Sequence, residues 1–185
     1  MNDYEWYKLV DPDTELTQGD LIDNCPVLNW DSSTSEDLFT RAKQEPVDCV
    51  VMSQACDLEQ ANVMQVILCP NYSLDVLREQ WHQDMKDRKQ NPTEKSWKKF
   101  LEYIRDGKIW NLAMLNKYDV TLSSDIRIVD FHEIFSVPRD FLETWLREIN
   151  TPRVTLLPPY REHLSQAFAR YFMRVGLPNE IDLPS

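Results

Sequence analysis

The chain has 185 residues, 42% of them hydrophobic, with six Trp, seven Tyr and seven Phe, a composition that suits one globular domain and excludes a disordered chain. No apolar run approaches the ~18–20 residues of a membrane span, and Asp3 and Glu5 stand where a secretory leader needs a basic and then an apolar segment, so a cytoplasmic location is expected. The net charge of −11 is unevenly spread: 14 acidic against 3 basic side chains in residues 1–70, 8 against 10 in 71–120, and 9 against 7 in 121–185. Such a surface repels phosphate backbones and suits a protein partner with complementary patches.

In chain order, Gln18-Gly19-Asp20-Leu21-Ile22 places a turn-forming glycine before a short apolar stretch. Residues 32–37 read as a polar loop capping a short helix at 37–43, which Pro46 closes. The runs 47–52 and 63–69 are β-branched and too short for a typical helix, which predicts two antiparallel strands. Between them lies Ser53-Gln54-Ala55-Cys56-Asp57-Leu58-Glu59, read as a turn that sets an amide, a thiol and a carboxylate at the mouth of a sheet.

From residue 73 to 107 the periodicity turns helical. Leu74, Leu77, Trp81 and Met85 share one face with Ser73 as cap; Asn91-Pro92-Thr93 interrupts; Trp97, Phe100, Leu101 and Ile104 share the next. This predicts a helical hairpin inserted between strands, with a basic cluster that includes Lys95, Lys98 and Lys99 as a partner-binding face. Extended segments are expected at 109–115, 126–131 and 153–157, and a helix after Pro138 with Phe141, Trp145 and Ile149 on its apolar side. The last helix opens at Pro158-Pro159 and ends at Gly176, with Tyr160, Leu164, Ala167, Phe168, Tyr171, Phe172 and Val175 as its stripe.

The four cysteines, Cys25, Cys49, Cys56 and Cys69, form no CxxC pair and no zinc-ligand spacing, so neither a disulfide framework nor a metal site nor any cofactor is expected; Cys49 and Cys69 fit as buried hydrophobes.

The order of the segments 18–22, 47–53, 66–70 and 126–130 resembles the PemK/MazF-like toxins, a resemblance that implies a small SH3-like β-barrel and, for many members, cleavage of single-stranded RNA. Those toxins commonly place an arginine beside the proline that opens the second segment, where this chain has Glu45-Pro46, and a Thr or Ser soon after the proline of the third, where Pro70 is followed by Asn71-Tyr72 and only then Ser73. A second likeness is to uncharacterised prokaryotic proteins that pair a Ser-Gln-x-Cys-Asp-Leu turn, here 53–58, with a Pro-Tyr-Arg-Glu-His-Leu-x-Gln-Ala-Phe-Ala-Arg helix, here 159–170. It implies a companion of antiviral, CRISPR-type defence loci.

Two functional expectations follow. In the catalytic one, Cys56 is a nucleophile with His132 or His163 as base, or Asp57 and His132 serve as base and acid with Arg161 on a phosphate. In the structural one, Asp57 satisfies backbone N–H groups at its turn and pairs with Arg161 or Arg170. The leading expectation is a single α+β domain over 1–185: a partly open SH3-like barrel, the hairpin at 73–107 and C-terminal helices. It acts as a non-catalytic adaptor that binds protein partners, and the alternative is a metal-independent endoribonuclease.

Overall fold

The computed structural model describes residues 5–30, 42–118 and 125–173. The polar loop at 32–37, most of the helix expected at 37–43, and Val175 and Gly176 lie outside the described residues. The fold is α+β. Eight strands pair in the order β1-β8-β2-β3-β4-β6-β5, with β7 joined to β4, and all described pairings are antiparallel. β1 and β5 end the path, and no described pairing joins them, so the sheet is open.

The strand β1 (Tyr7–Val10) pairs with β8 (Arg153–Leu156), which also meets the first residues of β2 (Asp20–Trp30). β2 and β3 (Ala42–Val51) form a long two-stranded arm, so Ala42 and Lys43 belong to a strand rather than a helix, and Pro46 lies within the strand opposite Pro26. Ile22 faces Cys49 and Cys25 faces Val47, so Asp23 and Asn24 together oppose Asp48 alone. That is a β-bulge, and Asn24 takes it up with φ of 54°, a left-handed conformation that asparagine tolerates better than most residues.

After β3 the chain forms α1 (Ala55–Glu59) in place of the expected turn, then β4 (Gln65–Ser73). The hairpin follows as α2 (Leu74–Asp87), capped by Ser73 Oγ accepting from Val76 N–H, and α3 (Glu94–Arg105), opened by a reciprocal Thr93/Ser96 capping box. Next come β5 (Leu112–Leu115), β6 (Arg127–Asp130), β7 (Phe135–Pro138), α4 (Arg139–Ile149) and, after β8, α5 (Tyr160–Phe172).

β6 and β7 are two halves of one broken strand. Both run antiparallel to β4, but between the pairs Asn71↔Val129 and Leu68↔Phe135 lie two residues of β4 and five of the other strand. The surplus loops out and drives Phe131, fully buried, against Phe168 and Tyr171 of α5.

Strand alternation divides the core. Cys49, Val51, Val66 and Leu68 face one way and meet Leu58 of α1 with Leu142 and Leu146 of α4. Val50, Met52, Cys69 and Val129 face the other way, beneath Leu164 of α5. A third cluster joins Leu77, Trp81, Trp97 and Ile104 of the hairpin to Leu112 and Ile128. The apolar side expected for α4 is therefore corrected: Phe141 and Ile149 are exposed, and the buried pair is Leu142 and Leu146.

Candidate functional site

The stretch after β3 is a structural corner first. Met52 N–H donates to Ile67 O at 2.8 Å, and Ser53 Oγ accepts from Ile67 N–H at 2.8 Å, so the chain stays stitched to β4 past the end of the strand. Leu58 anchors α1 in the core, and Arg139 Nη1 donates to Leu58 O at 2.8 Å while its Nε holds Glu143 at 2.6 Å. Cys56 is exposed, with its Sγ 3.7 Å from Gln54 Oε1 and 4.0 Å from Asp57 Oδ1. Asp57 is half-buried.

The start of α5 is tied to the Gln18-Gly19 turn instead. Gln18 Nε2 donates both to Met52 O at 3.1 Å and to Ser165 Oγ at 3.2 Å, so one amide links the turn, the end of β3 and α5. A β-carbon at Gly19 would lie 3.0 Å from Leu156 Cβ and 3.3 Å from Arg161 Cγ, tighter than such contacts normally are, and its φ of +87° would strain any other residue, so both favour glycine. The Arg161 guanidinium turns to its neighbour Glu162, at 2.8 Å, rather than to Asp57. Arg170 lies on the exposed side of α5.

His163 is exposed and lines a shallow cleft of about 280 Å³ with Trp6 and Tyr160, whose rings stack at 3.7 Å. His132 sits in the surplus loop between β6 and β7; its main-chain N–H donates to Asp130 Oδ1 at 2.8 Å, and its ring lies edge-on to Tyr171. Among the described residues no hydrogen bond or ion pair joins Cys56 or Asp57 to His132, Arg161 or His163. What the structure joins, at Gln18, is the carbonyl of Met52, just before the first motif, and the hydroxyl of Ser165, within the helix of the second. Lys95, Lys98 and Lys99 are exposed on α3, opposite buried Trp97, and Lys99 Nζ lies 5.5 Å above the Tyr103 ring.

A denser polar constellation, which sequence reading missed, centres on Arg127 at the start of β6. Its Nη1 donates to Asp48 Oδ2 at 2.7 Å and to Asn71 Oδ1 at 3.1 Å, and its Nη2 lies 3.6 Å from Asp23 Oδ1. Asp48 is fixed in turn by Asn24 N–H at 2.9 Å, so the bulge on β2 aims both carboxylates at one guanidinium. Asp23 is more than half exposed, so its share of the binding is weak. Tyr72 donates to Glu133, and burial, reinforced by that bond and by the Glu133 and Asp130 charges, pushes the phenol well above its ordinary value, so it remains a donor at neutral pH.

Arg127 lines two clefts. One, of about 650 Å³, includes Tyr7, Trp145 and Arg153; the other, of about 800 Å³, runs between the β2–β3 arm and β4. In the larger cleft the described lining carries Glu45, Asp48, Asp125 and Glu133 against Arg127 alone. A guanidinium already shared by Asp48 and Asn71 is poorly placed to receive a phosphate, and the surrounding carboxylates repel one. Among the described residues there is no group of three or more His, Cys, Asp or Glu able to hold a metal ion, and no helix is long and apolar enough to cross a membrane. No protein-family model matches the chain, and no curated protein matches it.

Proposed function

We propose that this chain is a non-catalytic regulatory or adaptor protein that binds protein partners. We read its sheet as an SH3-like scaffold of the PemK/MazF kind and its role as accessory to a prokaryotic antiviral, CRISPR-type defence system. One observation carries the adaptor reading: part of each motif is tied into the framework, and the thiol and carboxylate of the first are joined to no imidazole or guanidinium of the described residues. Ser53 holds β4, Arg161 packs along Gly19 and pairs with Glu162, and Ser165 accepts from Gln18, while Cys56 and Asp57 stand apart on α1. A hydrolytic site needs a nucleophile or base within hydrogen-bond reach of its partner.

The exposed lysines of α3 supply a second support, a basic face on an otherwise acidic protein. The scaffold reading is supported by the consecutive antiparallel neighbours β2, β3, β4 and β6 with β7, which carry the four segments of the resemblance. The defence assignment rests on the motif likeness of 53–58 and 159–170 alone.

Two experiments test the proposal. Pull-down from the native host should recover partners with the wild type and lose them with the triple reversal Lys95→Glu, Lys98→Glu, Lys99→Glu; unchanged partners would remove the hairpin from the reading. Incubation with single-stranded RNA in chelator should give no cleavage. Cleavage abolished by Asp57→Ala would replace the adaptor with the endoribonuclease.

A further inference from the structure

β5 ends the path of paired strands, so one of its two edges meets no strand among the described residues. The cleft of about 280 Å³ runs along that edge. It is lined by Leu112, Ala113, Met114 and Leu115 in succession, whereas a cleft over one face of a strand touches alternate residues. The facing wall is α5, where His163, Leu164, Ala167 and Arg170 recur at helical spacing.

The ladder decides which main-chain groups turn towards the cleft. Phe131 N–H donates to Asn111 O at 2.8 Å, and residues 112–115 continue the same register against 130–127. Bonded pairs alternate in an antiparallel ladder, so Ala113 and Leu115 turn their groups to β6, while Leu112 and Met114 turn theirs to the open edge. Leu112 N–H is taken by Ile109 O at 3.3 Å. Leu112 O, Met114 N–H and Met114 O are left, with no hydrogen-bond partner among the described residues. Ala113 and Met114 are only half-buried, so this edge lies within reach of a ligand.

The charge beside it is opposite to that of the molecule. Arg105, Asp106 and Arg170 line the cleft. Asp106 is held by Arg105 at 3.0 Å and by Lys108 at 2.9 Å, while exposed Arg170 pairs with no carboxylate among the described residues. On a chain of net charge −11 this is a cationic rim, and it favours an anionic ligand. Leu164, 4% exposed, and half-buried Ala167 add an apolar strip to the α5 wall. A nucleic acid offers the anions but not amides and carbonyls alternating at strand spacing; an extended acidic polypeptide offers both.

We infer that β5 is the docking edge for an extended, acidic segment of a partner polypeptide, which adds to the sheet as a further strand between β5 and α5. Laid antiparallel, the residue opposite Met114 exchanges two main-chain bonds with it, and the residue opposite Leu112 donates to Leu112 O. Carboxylates of the segment meet Arg105 and Arg170. The inference rests on the protein-binding reading only in that the ligand is a polypeptide; its contacts are not Lys95, Lys98 and Lys99.

The test uses the full chain and a fluorescein-labelled peptide of alternating Val and Glu. Beside it stand the same peptide with Gln for every Glu, and two N-methylated forms, one blocked at every Val amide and one at every Glu amide. Anisotropy should show binding of the Glu peptide that weakens with salt, about tenfold weaker binding of the Gln peptide, and a loss of about fivefold or more in the double variant Arg105→Gln, Arg170→Gln. Both side chains are exposed, so the fold is preserved. Amides of alternate residues point to opposite edges of a strand, so one methylated form should lose binding and the other keep it. In NMR-detected hydrogen exchange the Met114 amide should become protected at saturating peptide, while those of Ala113 and Leu115 are protected with or without it.

Equal affinity for the Glu and Gln peptides, equal affinity of the two methylated forms, an unchanged affinity in the double variant, or a Met114 amide that exchanges no more slowly would overturn the inference. So would preferential binding of a single-stranded oligonucleotide at the same residues. If peptide binding fails while pull-down still depends on Lys95, Lys98 and Lys99, the β5 edge alone is wrong; if the peptide binds and pull-down ignores those lysines, the lysine-face reading alone is wrong.

Discussion

Replacing Arg153 by methionine keeps an aliphatic side chain of comparable reach on β8 and removes only the guanidinium. That group is almost wholly buried and makes four kinds of contact: Nε donates to Asp20 Oδ2 at 3.2 Å, Nη1 to Pro12 O at 3.3 Å, and Nη2 to Thr14 O at 2.8 Å and Glu15 O at 3.3 Å. Asp20, 1% exposed, would keep the bond from Thr17 N–H but lose its countercharge. Breaking a buried pair by removing one partner costs about 3–5 kcal/mol, which decides between a brace and a decoration. Urea unfolding followed by tryptophan fluorescence at pH 7 should show a loss of that size. Adding Asp20→Asn to Arg153→Met should then cost less than the two single changes together, by about 2 kcal/mol.

The pH dependence carries a sign. Burial pushes the Asp20 carboxyl above its ordinary value even against the pull of Arg153, and without the guanidinium it must climb further. A group with a raised native pKa contributes stability that is full below its unfolded value and lost as pH rises through the native one. The deficit of Arg153→Met should therefore be greatest at pH 7 and shrink as pH falls towards about 4, the ordinary aspartate range. A deficit under about 1 kcal/mol, or one unchanged by acid, would refute the reasoning.

The other expectations are briefer. Gly19→Ala should destabilise by about 1–3 kcal/mol, measured by thermal melting, because it adds a contact at 3.0 Å in a left-handed conformation. In the native protein an aqueous alkylating reagent should label Cys56 alone by mass spectrometry; Cys25, Cys49 and Cys69 are buried, and burial with the Asp130 charge pushes the Cys69 thiol up to about 12. Trp97→Ala should cost about 3–5 kcal/mol and abolish amide protection in α3, since Trp97 packs with Trp81 and Phe100 at the hairpin's centre. Gln18→Ala should cost about 1 kcal/mol in urea unfolding through loss of its two bonds.

Much of the α+β layout was legible, because Val47, Val50 and Val51, then Val66 and Ile67, bunch at strand length, and Leu74, Leu77 and Trp81 recur at helical spacing. What escaped was decided by tertiary context. The short helix α1 carries little local signal and is held by Leu58 in the core and by Arg139. In α4 the series Phe141, Trp145, Ile149 and the pair Leu142, Leu146 have the same spacing, and only the position of the sheet tells which is buried. The Arg127 constellation draws on four separated segments, holding Asp23 with Asn24, Asp48, Asn71 and Arg127, brought together by a two-for-one bulge and a strand register that no local pattern encodes.

The broken strand alongside β4 has a thermodynamic consequence. β4 hydrogen-bonds to β3, β6 and β7, gives Val66 and Leu68 to one core and Cys69 to the other, and ends in the cap of α2. It is a wall common to the two core layers on either side of the sheet, so neither of those layers can melt while the other keeps its lining. Unfolding is thereby made all-or-none, and the amides of Leu68 and Cys69 should exchange with solvent only when the whole molecule opens.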